Sequence, residues 1–155
     1  MGKVFPDQFF TTGEVIKVFP EIKMESFQDW LKRGFIKPCF REKKGQRSWS
    51  YFTESQLYQI ALFHKFVNYG VKRAEAYHLA QRLHTRRVDN EASGSPLFQD
   101  TNGIPPYTIM AYKSGKLTHL FFSDGYDSII KEGDFDDVMV IDMKVITEKI
   151  EAYEG

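Results

Sequence analysis

The chain has 155 residues, 42% hydrophobic and 15% aromatic, which suits one medium domain or two small ones with their own cores. The formal net charge is +0, yet residues 1–90 carry 16 Lys and Arg against 9 Asp and Glu (+7), while residues 91–155 carry 5 against 12 (−7). One cysteine, Cys39, excludes an internal disulfide framework and a thiolate metal cluster within one chain. No apolar run approaches the length of a membrane span, and "MGKVFPDQFF" has no signal-peptide core, so the expectation is a cytoplasmic protein with no membrane partner.

Thr11-Thr12-Gly13-Glu14 has capping-box spacing and predicts a helix of about two turns that buries Val15, Ile16 and Phe19 and stops at Pro20. A second helix is expected from near Glu25 or Ser26. Its Phe27, Trp30 and Leu31 share one face, Gln28, Asp29, Lys32 and Arg33 take the others, and Gly34 is a left-handed stop with Phe35 and Ile36 packing back. Residues 37–52 read as a two-stranded ribbon bent at Gly45. A third helix, capped by Thr53, presents Leu57, Ile60, Ala61, His64 and Val67, and ends at Asn68-Tyr69-Gly70. A fourth runs from about Lys72 to His84 and buries Ala76, Leu79, Ala80 and Leu83.

Residues 85–103, "TRRVDNEASGSPLFQDTNG", are polar and rich in turn formers, as in a linker. Strand patterns follow. "YTIMAY" and "KLTHLFF" flank Lys113-Ser114-Gly115 as a hairpin, and "DSII" and "VMVI" read as short strands. A last helix from about Met143 to Tyr153 carries Val145, Ile146, Ile150 and Tyr153 on one stripe. The organisation expected is a domain over 1–84, a linker over 85–103, and a small α/β segment over 104–155 for dimerisation or effector binding.

Nothing in the sequence points to catalysis. There is no GxSxG, no phosphate-cradling glycine loop and no HExxH, and His64, His78, His84 and His119 lack metal-ligand spacing. The acidic "GDFDD" (Gly133 to Asp137) reads as a solvated loop rather than a cation or acid–base site. The expectation is a non-enzyme with no cofactor and no metal.

The positive signal is basic. Residues 23–47 hold eight Lys and Arg (Lys23, Lys32, Arg33, Lys37, Arg41, Lys43, Lys44, Arg47) against Glu25, Asp29 and Glu42. Several cations on a projecting element can displace the counterions condensed on a polyanion. Capped helix, turn, second helix, basic ribbon and further helix is also the winged helix-turn-helix order, in which the second helix enters the major groove and the wing lies over phosphate or the minor groove.

"FTTGEVIKVF", "SFQDWLKRGFIKP" and "GQRSW…YFTESQLYQIALFHKFVNYGVKRAEA" together resemble the first helix, second helix, wing and following helix pair of the MerR-type transcriptional regulators, over about residues 9–84. The resemblance implies an α+β fold. An N-terminal MerR-like winged helix-turn-helix would be followed by a small strand-rich segment with a terminal helix. It implies a DNA-binding transcription regulator with double-stranded DNA as partner. The residues taken to face DNA are Thr12, Lys23, Ser26, Gln28, Lys32 and Arg33 on the helices, and Arg41, Lys43, Lys44 and Arg47 on the wing. Gln28-Asp29-Trp30 stand where the family has Arg-Tyr-Tyr, and no coiled coil follows the fourth helix. Dimerisation, if it pairs two half-sites, falls to residues 104–155, with an unknown small-molecule effector as a further partner class. The alternatives are an excisionase-like architectural DNA-binding protein and a protein-interaction module on the same scaffold.

Overall fold

The structure is a computed structural model that describes residues 9–82, 106–123 and 135–153. Two compact units emerge: Met1–Gln81 together with Glu148–Gly155, and Arg82–Thr147. The last eight residues thus group with the N-terminal unit rather than with the rest of 104–155. Helices and two three-stranded antiparallel sheets make the fold α+β.

In the first unit β1 (Phe10–Thr11) leads into α1 (Thr12–Val18). Thr11 accepts the Glu14 amide proton while Glu14 accepts that of Thr11, the reciprocal capping box, worth roughly 1 kcal/mol. The buried face of α1 is Val15 and Val18, continued by Phe19; Ile16, expected inside, is only half-buried. α2 (Met24–Arg33) buries Phe27 and Trp30, with Leu31 half-buried. It closes on Gly34 at φ +81°, where the Gly34 amide reaches the Leu31 carbonyl at 3.2 Å and the Phe35 amide the Trp30 carbonyl at 3.0 Å. That pair of bonds is a Schellman motif, and it needs a residue that tolerates the left-handed region.

β2 (Phe40–Lys44) and β3 (Arg47–Phe52) form the basic ribbon. Lys44 stands opposite Arg47 across a two-residue loop in which Gly45 has φ +63°, the type II′ hairpin arrangement. The expected two-stranded ribbon is extended to a sheet of order β1-β3-β2 by Phe10 and Thr11, which pair with Phe52 and Tyr51. The base of the ribbon is pinned to α3 (Glu54–Asn68), where Gln56 donates to the Lys37 carbonyl at 2.8 Å.

α3 is capped by Thr53 and Gln56 in a second reciprocal box. Its burial is wider than a single stripe. Leu57, Tyr58, Ile60, Ala61, Leu62, Phe63 and Phe66 are all inside, while the predicted stripe members His64 and Val67 are half-buried. A helix apolar nearly all round belongs at the centre of its unit. Trp30 packs edge-on to Phe63 (4.9 Å between centroids), and Phe27 does the same to Phe52 (5.6 Å), so α2 and the sheet meet on α3's side of the core. α4 covers residues 73–82 and buries Ala76 and Ala80, with Leu79 half-buried. The expected burial of Leu83 and the linker at 85–103 lie outside the described residues, as does the expected strand at "DSII".

In the second unit β4 (Tyr107–Lys113) is the centre of a sheet of order β5-β4-β6, with β5 (Lys116–Ser123) and β6 (Asp137–Asp142). The β4–β5 turn is Ser114-Gly115, with φ +53° and +77°, as a type I′ hairpin requires. α5 (Met143–Ala152) follows β6 directly, with its residues up to Thr147 in this unit and those from Glu148 in the first. Its buried face is Met143, Ile146 and Ile150. Val145, expected on that stripe, is exposed, because the helix phase puts it one residue round from Ile146.

Candidate nucleic-acid interface

The ten residues expected to form one DNA-facing set are sorted by the fold. On α2, steps of about 100° place Gln28 and Lys32 on one flank and Ser26 and Trp30 on the other, with Lys23 the extended residue just before the helix. Gln28 and Lys32 are both exposed on that flank. Lys23 and Ser26 instead line a cleft that also contains Trp30 and His64. Thr12, the first residue of α1, is half-buried.

Arg33 is exposed but engaged. Its Nε donates to Asp29 Oδ1 at 3.0 Å, one helical turn back. Such an exposed i,i+4 pair contributes only a few tenths of a kcal/mol to the helix. Its larger consequence is electrostatic, because Asp29 offsets the Arg33 charge at the edge of the exposed face.

The ribbon separates its own cations by the pleat. Side chains alternate along a strand, and directly opposed residues point to the same side. The register pairs Arg41 with Ser50 and Lys43 with Ser48, so one face carries two cations beside two small hydroxyls. The other face carries Phe40 with Tyr51, Glu42 with Trp49, and Lys44 with Arg47. On that second face Glu42 accepts from the Tyr51 hydroxyl at 3.2 Å and pairs with Lys44 at 3.4 Å. Arg41 and Lys43 have no ion pair among the described residues. The four ribbon cations are thus two pairs on opposite faces, joined only at the tip.

The second face is aromatic. Phe40 stacks on Tyr51 (4.8 Å, 14°), and Phe9 sits edge-on to Phe40 at 5.0 Å. Phe40 and Trp49 are each about two-fifths exposed (42% and 40%). The signal for this face is present in the sequence as Phe40 and the Trp49/Tyr51 alternation, but only the register set by Gly45 brings them together. Lys37, counted in the basic run, is placed over the Tyr77 ring at 5.6 Å, a cation–π contact that ties the ribbon's base to α4.

Among the described residues no group of three or more His, Cys, Asp or Glu could hold a metal ion, and no helix is long and apolar enough to cross a membrane. Cys39 is exposed, with its amide bonded to the Tyr51 carbonyl at 2.8 Å as a continuation of the ribbon ladder. No protein-family model matches the chain, and no curated protein matches it either.

Proposed function

We propose that the chain is a DNA-binding transcription regulator of MerR-like type, built on a winged helix-turn-helix. The observation that carries this reading is the element order α1, turn, α2, basic antiparallel ribbon, α3, with Arg41 and Lys43 exposed on one face of the ribbon. In this reading α2 presents Gln28 and Lys32 to base edges and backbone in the major groove, and the Arg41/Lys43 face lies on phosphate. Thr12 and Arg33 stand at the margin of that surface, and Lys44 and Arg47, on the opposite face of the ribbon, reach it only at the tip. Two copies joined through residues 104–155 would set half-site spacing on the duplex. Residues 91–155, which include that segment, carry the acidic excess, which keeps it off a polyanion.

The Asp29–Arg33 pair favours a second reading, a protein-interaction module on the same scaffold, because it removes charge from the surface that would meet DNA. One measurement separates the two. Binding of the full chain to a duplex pool is followed by fluorescence anisotropy over a range of salt concentrations. The regulator reading expects affinity that falls linearly on a log–log salt plot, and selection of a preferred sequence from the pool. Absence of any salt-dependent duplex binding at low ionic strength would sink it and leave the interaction module.

A further inference from the structure

The first unit contains a cleft of about 600 Å³, within the range of small-molecule sites. Its walls come from the Glu21–Lys23 turn, α2, the end of α3, Arg73 and Lys149 of α5. Among the described residues, Lys23, Lys65, Arg73 and Lys149 line it against a single carboxylate, Glu21. Glu21 is already held by Lys149 at 2.8 Å. Lys23, Lys65 and Arg73 therefore converge on a concave space with no carboxylate partner among the described residues. α2 also opens into this space without a side-chain cap, so its first-turn amides, Ser26 included, have no side-chain acceptor at the cap position.

We propose that this cleft binds a small phosphate-bearing ligand that carries hydroxyl or amine donors beside its phosphate, of the sugar-phosphate or nucleoside-phosphate class. The cations and the uncapped helix start suit the phosphate. Glu21, and the Asn68 amide held 3.3 Å from His64 Nε2, suit donors on the rest of the molecule. A duplex backbone offers phosphate and deoxyribose but no donor for Glu21, so the mixed lining favours a discrete ligand over DNA. Trp30 and His64, with ring centroids 6.0 Å apart, give the cleft an aromatic wall.

The titratable groups agree with an anion site. Burial holds the His64 imidazole below its ordinary value; Glu21 opposes this, and Lys65 and Lys149 reinforce it. Burial alone would raise the Glu21 carboxyl, but the Lys149 hydrogen bond, its own backbone and the Lys149 and His64 charges together hold it low. An anion seated among Lys23, Lys65 and Arg73 adds negative charge near His64, opposes the effect of burial and favours its protonation.

The test uses the full chain with Trp49→Phe, which leaves Trp30 as the sole indole, titrated with ribose 5-phosphate and separately with inorganic pyrophosphate. Trp30 fluorescence and the His64 ring resonances are read. A saturable change in both, with the His64 pKa rising on binding, is expected. Lys65→Ala with Arg73→Ala should weaken it by about tenfold or more. Glu21→Gln, which frees Lys149 and removes the one carboxylate lining the cleft among the described residues, should tighten pyrophosphate, a direction that mere structural damage would not produce. No saturable response to either probe up to about 10 mM would overturn the proposal. So would a response identical in the variants, which would mean ionic screening only. If the Lys65/Arg73 variant lost duplex affinity and neither probe bound, the cleft would belong to polymer phosphate, again overturning it. Duplex binding is measured on its own, so failure here leaves the DNA reading standing, and the reverse also holds.

Discussion

Tyr153 donates a 2.9 Å hydrogen bond to Glu14 Oε2 across 139 residues of sequence, while Oε1 of the same carboxylate accepts the Thr11 amide at 2.9 Å. One side chain therefore closes the N-terminal cap of α1 and fastens the end of the chain to the first unit. The rings of Phe10 and Tyr153, 6.0 Å apart, sit beside this junction. A chain cut near residue 90 would lose both Tyr153 and Lys149 from that unit, so such a fragment is not equivalent to it.

Replacing Tyr153 by Phe keeps the ring and removes the donor. Hydrogen bonds to charged groups are worth about 1.5–3 kcal/mol, and partial exposure places this one toward the low end, so a loss of about 1–2 kcal/mol is expected by denaturant unfolding. Burial, then the Glu14 hydrogen bond and charge, raise the Tyr153 pKa above its ordinary 10.0. A raised pKa means that the folded state holds the proton longer than the unfolded chain. The contribution is thus complete below pH 10 and lost as pH climbs through the raised value. The stability gap between wild type and Tyr153→Phe should shrink above about pH 10; a gap that stays constant there would mean that the bond is not formed.

Trp30 is 4% exposed and packs edge-on to Phe63. Trp30→Ala should cost about 3–5 kcal/mol, seen as a large fall in melting temperature. Trp49→Phe, on the exposed ribbon, should change stability by less than about 0.5 kcal/mol. Equal effects of the two substitutions would contradict the phase assigned to α2.

The two faces of the ribbon make different predictions for DNA. If the Arg41/Lys43 face lies on phosphate, Arg41→Ala with Lys43→Ala should weaken every duplex. The log–log salt slope should flatten by up to roughly 0.9 for each phosphate no longer neutralised. Lys44→Ala with Arg47→Ala removes the same formal charge from the opposite face and should change the slope less. The reverse order would turn the aromatic face, with Phe40 and Trp49, toward the duplex.

Local chemistry makes much of this legible in the sequence. Thr11/Glu14 and Thr53/Gln56 announce helix starts by reciprocal capping, and Gly34, Gly45 and Ser114-Gly115 announce stops and turns because few residues tolerate positive φ. What resists reading is decided at long range. Val18 rather than Ile16 faces inward because a seven-residue helix fits two apolar phases, and only packing selects one. β1 is two residues long and exists through pairing with Phe52 and Tyr51, so it has no pattern of its own. The division of the ribbon cations needs the strand register. The cleft needs Glu21, Lys65, Arg73 and Lys149 brought together from four separate segments, which no local spacing encodes.

Asp29 supplies the last prediction. It holds Arg33 at 3.0 Å on the exposed side of α2, in the helix proposed to enter the groove. Both side chains are open to solvent, 61% for Arg33 and 43% for Asp29, so the pair adds little to stability and Asp29→Ala should leave the melting temperature nearly unchanged. Its effect on a duplex should be large by comparison. Removing Asp29 deletes a charge that repels phosphate and frees the Arg33 guanidinium to bind it. Duplex affinity should therefore rise, and the salt slope should steepen by up to roughly 0.9 for the additional phosphate neutralised. Arg33→Ala in the same background should cancel that rise, which assigns it to the freed guanidinium rather than to general charge. Unchanged affinity in Asp29→Ala, with melting temperature preserved, would remove this face of α2 from the DNA interface.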